Sequence, residues 1–321
     1  MLVQLILVVM TAPGIVPHKI LVAPYSSGFN SRLLNMQKMA DVIAQDGHDV
    51  YVLMNTKIKE NWICKSAKML EFHTTDSVEE IGSLHSKPKA IFDMFGFLDD
   101  FVKLEASYVR AMARDDKTLQ TIKGLKFDLV VADFNSITAV LLVAHLNITT
   151  IWYQNYFMPT DPKVFYPILP SIVCTMPGIT CKAHSMEFKE RFINFITNLV
   201  FINVLQPVMQ GKFEKVAEDE NFALQTPMSQ VTENKIVIVN ANHILDTPVP
   251  SMPHIFPISG LFHEKPSPLT KQFLDIIISS PHGVILLSFG TLMSELEPEK
   301  AELFARVFGL FPHAVIWRYK G

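Results

Sequence analysis

Apolar positions in this chain fall into short runs separated by polar, glycine- or proline-marked breaks. Lys19-Ile20-Leu21-Val22-Ala23 is a β-rich run stopped by Pro24. After a loop from Tyr25 to Ser31, residues Leu33, Met36, Ala40 and Ile43 repeat at helical spacing until Gly47. Asp49-Val50-Tyr51-Val52-Leu53 then reads as a second strand. A strand, a helix and a strand in close succession predict a βαβ unit with parallel strands and a right-handed crossover.

The pattern returns downstream. Residues 127–132 are almost wholly apolar, as suits a strand buried on both faces of a sheet. Residues 137–146 predict a helix, 148–152 a strand, and 235–239 a late strand closing the same sheet. Between these, 97–119 reads as one long helix and 182–220 as a mostly helical insertion. Prolines 248, 250, 253, 257, 266 and 268 then crowd a stretch without helical or strand period, which predicts a stiff connector at a domain boundary. A second βαβ unit follows, with helices over 269–279 and 299–311 and strands over 283–288 and 314–317. The expected organisation is a leader over 1–17, a first domain over 18–247, a linker over 248–268 and the start of a second α/β domain over 269–321.

Composition sharpens this reading. The chain has 321 residues, enough for about two domains. With 49% hydrophobic and 18% charged residues it is unlike disordered, coiled-coil or nucleic-acid-coating proteins. A net charge of −3 implies no electrostatic partner. The run from Leu5 to Met10 followed by Thr11-Ala12-Pro13-Gly14 reads as a signal peptide, although a first buried strand has the same length. Residues 192–205 come closest to a membrane span, but Asn194, Asn198 and Asn203 interrupt them, so a helix in a core or on a bilayer surface is expected. Asn147-Ile148-Thr149 is a glycosylation acceptor sequence. Cys64, Cys174 and Cys181 are too scattered for a metal site; Cys174 and Cys181 could pair in an oxidising compartment, or all three could be buried thiols.

Open parallel sheets bind ligands beyond the carboxyl ends of their strands. That rule selects the loop 24–31, Asp133 at the end of Val130-Val131-Ala132, and Ser288-Phe289-Gly290-Thr291. Asp133 could orient or neutralise a base, or simply cap the helix beginning near Ser136. Hydroxyls and a glycine at 288–291 suit phosphate binding. No G-x-G-x-x-G follows a strand, and no G-x-x-x-x-G-K-[ST], H-E-x-x-H or G-x-S-x-G occurs.

At these same residues the chain resembles the UDP-glucuronosyltransferases, with a phrasing like nematode members. The resemblance is carried by Lys19-Ile20-Leu21-Val22, Ala40-Asp41 through Gly47-His48-Asp49-Val50, Phe127 to Asp133, Val239 to Asp246, Gly283 to Thr291, and Val315-Ile316-Trp317-Arg318-Tyr319. It implies a GT-B fold, with an acceptor-binding Rossmann-like domain first and a UDP-sugar-binding one second. The implied reaction is inverting transfer of glucuronic acid, or another hexose, from a UDP-sugar co-substrate to a hydroxyl of a lipophilic small molecule, without a metal. The resemblance further implies the endoplasmic reticulum lumen and membrane, homo- or hetero-oligomers, and no nucleic-acid partner. By position, Asp133 matches the family's aspartate, Ser288, Gly290 and Thr291 its donor-phosphate loop, and Arg318 an arginine lining the UDP site. The family's histidine base falls on Arg32, a residue that stays protonated and cannot accept a proton. The family's later donor signature and spanning helix lie past Trp317 and find no counterpart here. Weak or absent activity of this chain is therefore expected, with a non-catalytic, ligand-binding or partner-modulating role as the alternative.

Overall fold

The computed structural model describes residues 16–25, 30–73, 93–155, 186–233, 235–242, 244, 252–260, 267–289 and 296–319. The chain divides into two compact units, Met1–Asp76 with Val102–Phe262, and Ser77–Phe101 with His263–Gly321. Residues 1–15 of the expected leader, Cys174, Cys181, Gly290 and Thr291 lie outside the described residues.

The first unit is built on a seven-stranded sheet. Its strands are β1 (Lys19–Ala23), β2 (Asp49–Asn55), β3 (Lys68–Phe72), β4 (Leu129–Asp133), β5 (Thr150–Gln154), β6 (Val237–Asn240) and β7 (Ile255–Ile258), in the order β3-β2-β1-β4-β5-β6-β7. Every neighbouring pair is parallel. The central strands are apolar because both faces are covered; Ile20, Leu21, Val22, Val130 and Ala132 are fully buried. Helix Asn30–Gln45 packs on β1 and β2, and helix Ile137–Leu146 on β4. Gly47, at φ +96°, takes the left-handed conformation that ends the first helix.

Three elements depart from the sequence pattern. The long helix expected over 97–119 is two, Asp93–Arg114 and Asp116–Leu125. Asp115 separates them as an N-cap, its carboxylate accepting a 3.0 Å bond from the backbone N–H of Thr118. Strand β3, with one fully buried residue, Phe72, carries too little alternation to be foreseen. Strand β7 lies inside the stretch expected to be a connector over 248–268. Its Pro257 is tolerated because β7 is the edge of the sheet, where a missing N–H costs no ladder bond.

The helical insertion is one continuous rod among the described residues, made of Phe188–Val200, a π turn Phe201–Leu205, and Gln206–Asp219. By length and composition it could cross a membrane, which the interrupting asparagines had argued against.

The second unit contains helix Lys271–Ser279, strand β8 (Val284–Ser288), helix Pro298–Phe308 and strand β9 (Ala314–Arg318). Strands β8 and β9 pair in parallel, as the second βαβ unit requires.

Candidate active site at the sheet switch point

The strand order reverses direction at β1 and β4: from β1 the chain moves outward to β2 and β3, and from β4 it moves the opposite way. Carboxyl ends of strands flanking such a reversal open a crevice between the diverging connections. Asp133 is the last residue of β4, and Arg32 lies in the first turn of the helix that follows β1. The topology thus brings both candidate residues to one point.

Arg32 Nη1 donates to Asp133 Oδ1 across 3.1 Å. Both groups are removed from water, Arg32 at 5% and Asp133 at 0% exposure. The same Oδ1 accepts the backbone N–H of Asn135 at 2.9 Å, while Asp133 Oδ2 is buried without a hydrogen-bond partner. Burial pushes the Asp133 carboxyl above its usual range, against the pull of the Arg32 charge and the Asn135 N–H. The capping role considered for Asp133 belongs to another residue. Ser136 Oγ accepts the N–H of Ala139 at 3.2 Å and is the N-cap of helix Ile137–Leu146, leaving the aspartate carboxylate free of that duty.

Five further side chains surround the pair that the sequence pattern did not single out. The Arg32 guanidinium lies over the Tyr25 ring at 5.4 Å, and Tyr25 Oη donates to buried Glu105 at 2.9 Å. Tyr153 sits opposite Asp133 in the β4–β5 register, its hydroxyl 3.1 Å from Asn155 Oδ1. Asn35 Nδ2 donates to the same Asn155 oxygen at 2.6 Å. Burial, together with the Asp133 charge, raises the Tyr153 phenol far above its ordinary value, so it stays a neutral donor. Asn35 stands three positions after Arg32, one helical turn along the same face, and that spacing was the available signal.

In the second unit, Ser288 and Arg318 are register partners at the carboxyl ends of β8 and β9, and both are exposed. A hydroxyl and a guanidinium side by side beyond parallel strand ends can hold a phosphate. Asn147 is exposed just after helix Ile137–Leu146, in a left-handed conformation, with its Oδ1 3.4 Å from Thr226 Oγ1. Among the described residues no three His, Cys, Asp or Glu side chains are grouped to hold a metal ion.

Comparison with known proteins gives a consistent result. The family described as UDP-glucoronosyl and UDP-glucosyl transferase matches residues 18–321. Mouse UDP-glucuronosyltransferase 1A6 is 26% identical over 326 residues, covering 96% of this chain and 59% of the relative. Human UDP-glucuronosyltransferase 1A8 is 23% identical, covering 94% and 58%. The chain therefore spans somewhat less than three fifths of the length of these curated relatives. Among solved structures, rice Os79 in complex with U2F and trichothecene superposes with a TM-score of 0.54 at 13% identity, over 93% of this chain and 66% of that one. The glycosyltransferase SnogD from Streptomyces nogalater gives 0.54 at 14% identity, over 95% and 68%. At these identities the structures speak to the fold, which is the α/β arrangement of GT-B glycosyltransferases. A family match over nearly the whole chain, with the expected parallel α/β sheet beneath it, makes this protein a member of the UDP-glucuronosyl and UDP-glucosyl transferase family.

Proposed function

We infer that the chain contributes to transfer of glucuronic acid, or another hexose, from a UDP-sugar to a hydroxyl of a lipophilic small molecule, at a low intrinsic rate. The observation that carries this reading is Asp133, buried at the end of β4 with one carboxylate oxygen unpartnered, where an acceptor bound over the first sheet would place its reacting group. Ser288, Arg318 and, by resemblance, Gly290 and Thr291 would hold the UDP phosphates. The acceptor oxygen forms a bond to the anomeric carbon as the bond to UDP breaks on the opposite face, giving inversion, and the acceptor proton must leave. Arg32 stays protonated and cannot take it. Asp133 Oδ2 is the group in place to do so, and a buried carboxylate with a raised pKa is a better base than an exposed one. The family resemblance implies an aspartate that serves a histidine; here Asp133 would act alone, which is why a low rate is proposed.

A second reading, ligand binding without transfer, is favoured by the same Arg32–Asp133 pair, because the ion pair occupies the position from which a base would act. By resemblance, we also propose the lumen of the endoplasmic reticulum and its membrane as the location, with glycosylation at Asn147.

The test is acceptor-dependent UDP release from UDP-glucuronic acid by the purified chain with a panel of lipophilic phenols. Release exceeding that of Asp133→Asn supports transfer. Acceptor binding by fluorescence or calorimetry with no UDP release carries the second reading. Arg32→His supplies an imidazole beside Asp133 and is expected to raise the rate by about 10²–10⁴-fold; an unchanged rate places the base elsewhere.

A further inference from the structure

Beside the Arg32–Asp133 pair, the first sheet gathers asparagines around one phenol, that of Tyr153. Tyr153 is the register partner of Asp133, and residues paired across a parallel ladder project to the same face. Asn155 lies two positions further along that face, and Asn240 stands beside it, each following the register pair Gln154 and Val239. Asn35 reaches the same place from helix Asn30–Gln45, one turn beyond Arg32. The helix thus has two anchor points on the sheet, Arg32 on Asp133 at 3.1 Å and Asn35 on Asn155 at 2.6 Å.

These contacts orient the Asn155 amide. Its Oδ1 accepts both an Asn35 Nδ2–H and the Tyr153 hydroxyl, the latter at 3.1 Å, which engages both lone pairs of that oxygen. Tyr153 is fully buried, and burial keeps its phenol neutral against the pull of hydrogen bonds from Asn35 and Asn240, so near neutral pH it remains a donor. Asn155 Nδ2 keeps both of its N–H groups, and among the described residues none accepts from it. A network that only tied helix to sheet would be sealed from water, as Asp133 and Tyr153 are. Asn35, Asn155 and Asn240 are instead half-exposed, around the carboxyl ends of strands where open parallel sheets receive ligands.

We propose that Asn155 is a specificity-determining residue, its Nδ2 donating to a carbonyl oxygen on the far ring of a fused-ring acceptor whose reacting hydroxyl lies at Asp133. The spacing sets the skeleton. One strand step across and two residues along put the Asp133 and Asn155 Cα atoms about 8 Å apart, the span of a fused two-ring compound substituted at both ends. The amide sets the polar group. Asn155 can donate but has no lone pair left to accept with, so it selects a group that only accepts. This rests on the reading that the acceptor binds over the first sheet and names that acceptor's chemistry; it does not require the chain to transfer a sugar.

Calorimetric titration of the purified chain with 6-hydroxy-2-tetralone, and with its analogue carrying a methylene in place of the carbonyl, tests it. The two compounds share the phenol and the skeleton and differ only in the far-ring oxygen. The ketone is expected to bind at least tenfold more tightly, about the worth of one net hydrogen bond. Asn155→Asp keeps an oxygen for Tyr153 and Asn35 but replaces the outward N–H groups by a second carboxylate oxygen, and the ratio of affinities is expected to fall to about one or below. A melting temperature close to the parent's shows that recognition, not packing, was lost. Should Asn155→Asp fail to fold, the ratio in the parent decides alone. Equal affinities in the parent, or a ratio kept in the variant, overturn the proposal and leave acceptor binding over the first sheet standing. Binding of neither compound overturns both.

Discussion

Arg32 and Asp133 form a nearly solvent-free ion pair at 3.1 Å across the point where the sheet changes direction. Taking both charges out of water costs as much as their attraction returns, so the pair adds little net stability, yet removing one partner strands the other. Arg32→Met is therefore expected to destabilise the first unit by about 3–5 kcal/mol. The penalty has a sign in pH. Without Arg32 the Asp133 pKa rises further, the folded state holds a proton that the unfolded state releases, and stability falls as pH rises above the unfolded carboxylate value. Denaturant unfolding at acidic and neutral pH should show a smaller gap between variant and parent at the acidic value; an equal gap would mean that Asp133 is not the stranded charge.

Asp41 ties helix Asn30–Gln45 to the segment leading into β3. Its carboxylate accepts backbone N–H bonds from Lys65, Ser66 and Ala67 at 2.8–3.0 Å. Partial burial pushes its pKa up, but these N–H groups outweigh that and hold it below the usual range. A depressed pKa contributes stability present above the unfolded value and lost as pH falls through the folded one. Asp41→Ala is expected to cost about 1–3 kcal/mol near neutrality and less below pH about 3, where parent and variant melting temperatures should converge.

Cys64 is expected to be inert. Burial, with the Asp41 charge nearby, pushes its thiol up to about 12, and Sγ lies 3.3 Å from the Gln37 carbonyl. The thiolate is the reactive form, so alkylation of Cys64 by iodoacetamide at neutral pH, followed by peptide mapping, should run at least tenfold slower in native than in denatured protein.

Ser136→Ala removes the hydroxyl that caps helix Ile137–Leu146 and should lower stability by about 1 kcal/mol, while Ser136→Asn should nearly restore it. A thermal melt of the three proteins is sufficient.

Much of the architecture was legible because buried parallel strands write themselves as unbroken apolar runs. Val130-Val131-Ala132 and Ile20-Leu21-Val22 could be placed as parallel strands, while their adjacency on the sheet came only from the structure. Asp133 was found by position, as the polar residue ending such a run. Tyr25, Glu105 and Tyr153 were not, since a partner 80 residues away in sequence, as Glu105 is to Tyr25, leaves no local trace. Strand β7 was masked by the proline it tolerates at an edge, and the break at Asp115 by apolar periodicity that continues across a cap. The rod Phe188–Asp219 misleads in a different way. Amphipathicity reports which side is polar, and the assumption that the polar side faces water failed for Asn194 and Asn198.

Arg32 and Asp133 are 101 positions apart, and they meet only once β1 and β4 have paired. Closing so long a loop is slow and entropically costly, and a contact that forms after it adds little to the folding transition state. The ion pair accordingly acts as a late latch on the sheet: weakening it should accelerate unfolding while leaving the folding rate nearly unchanged.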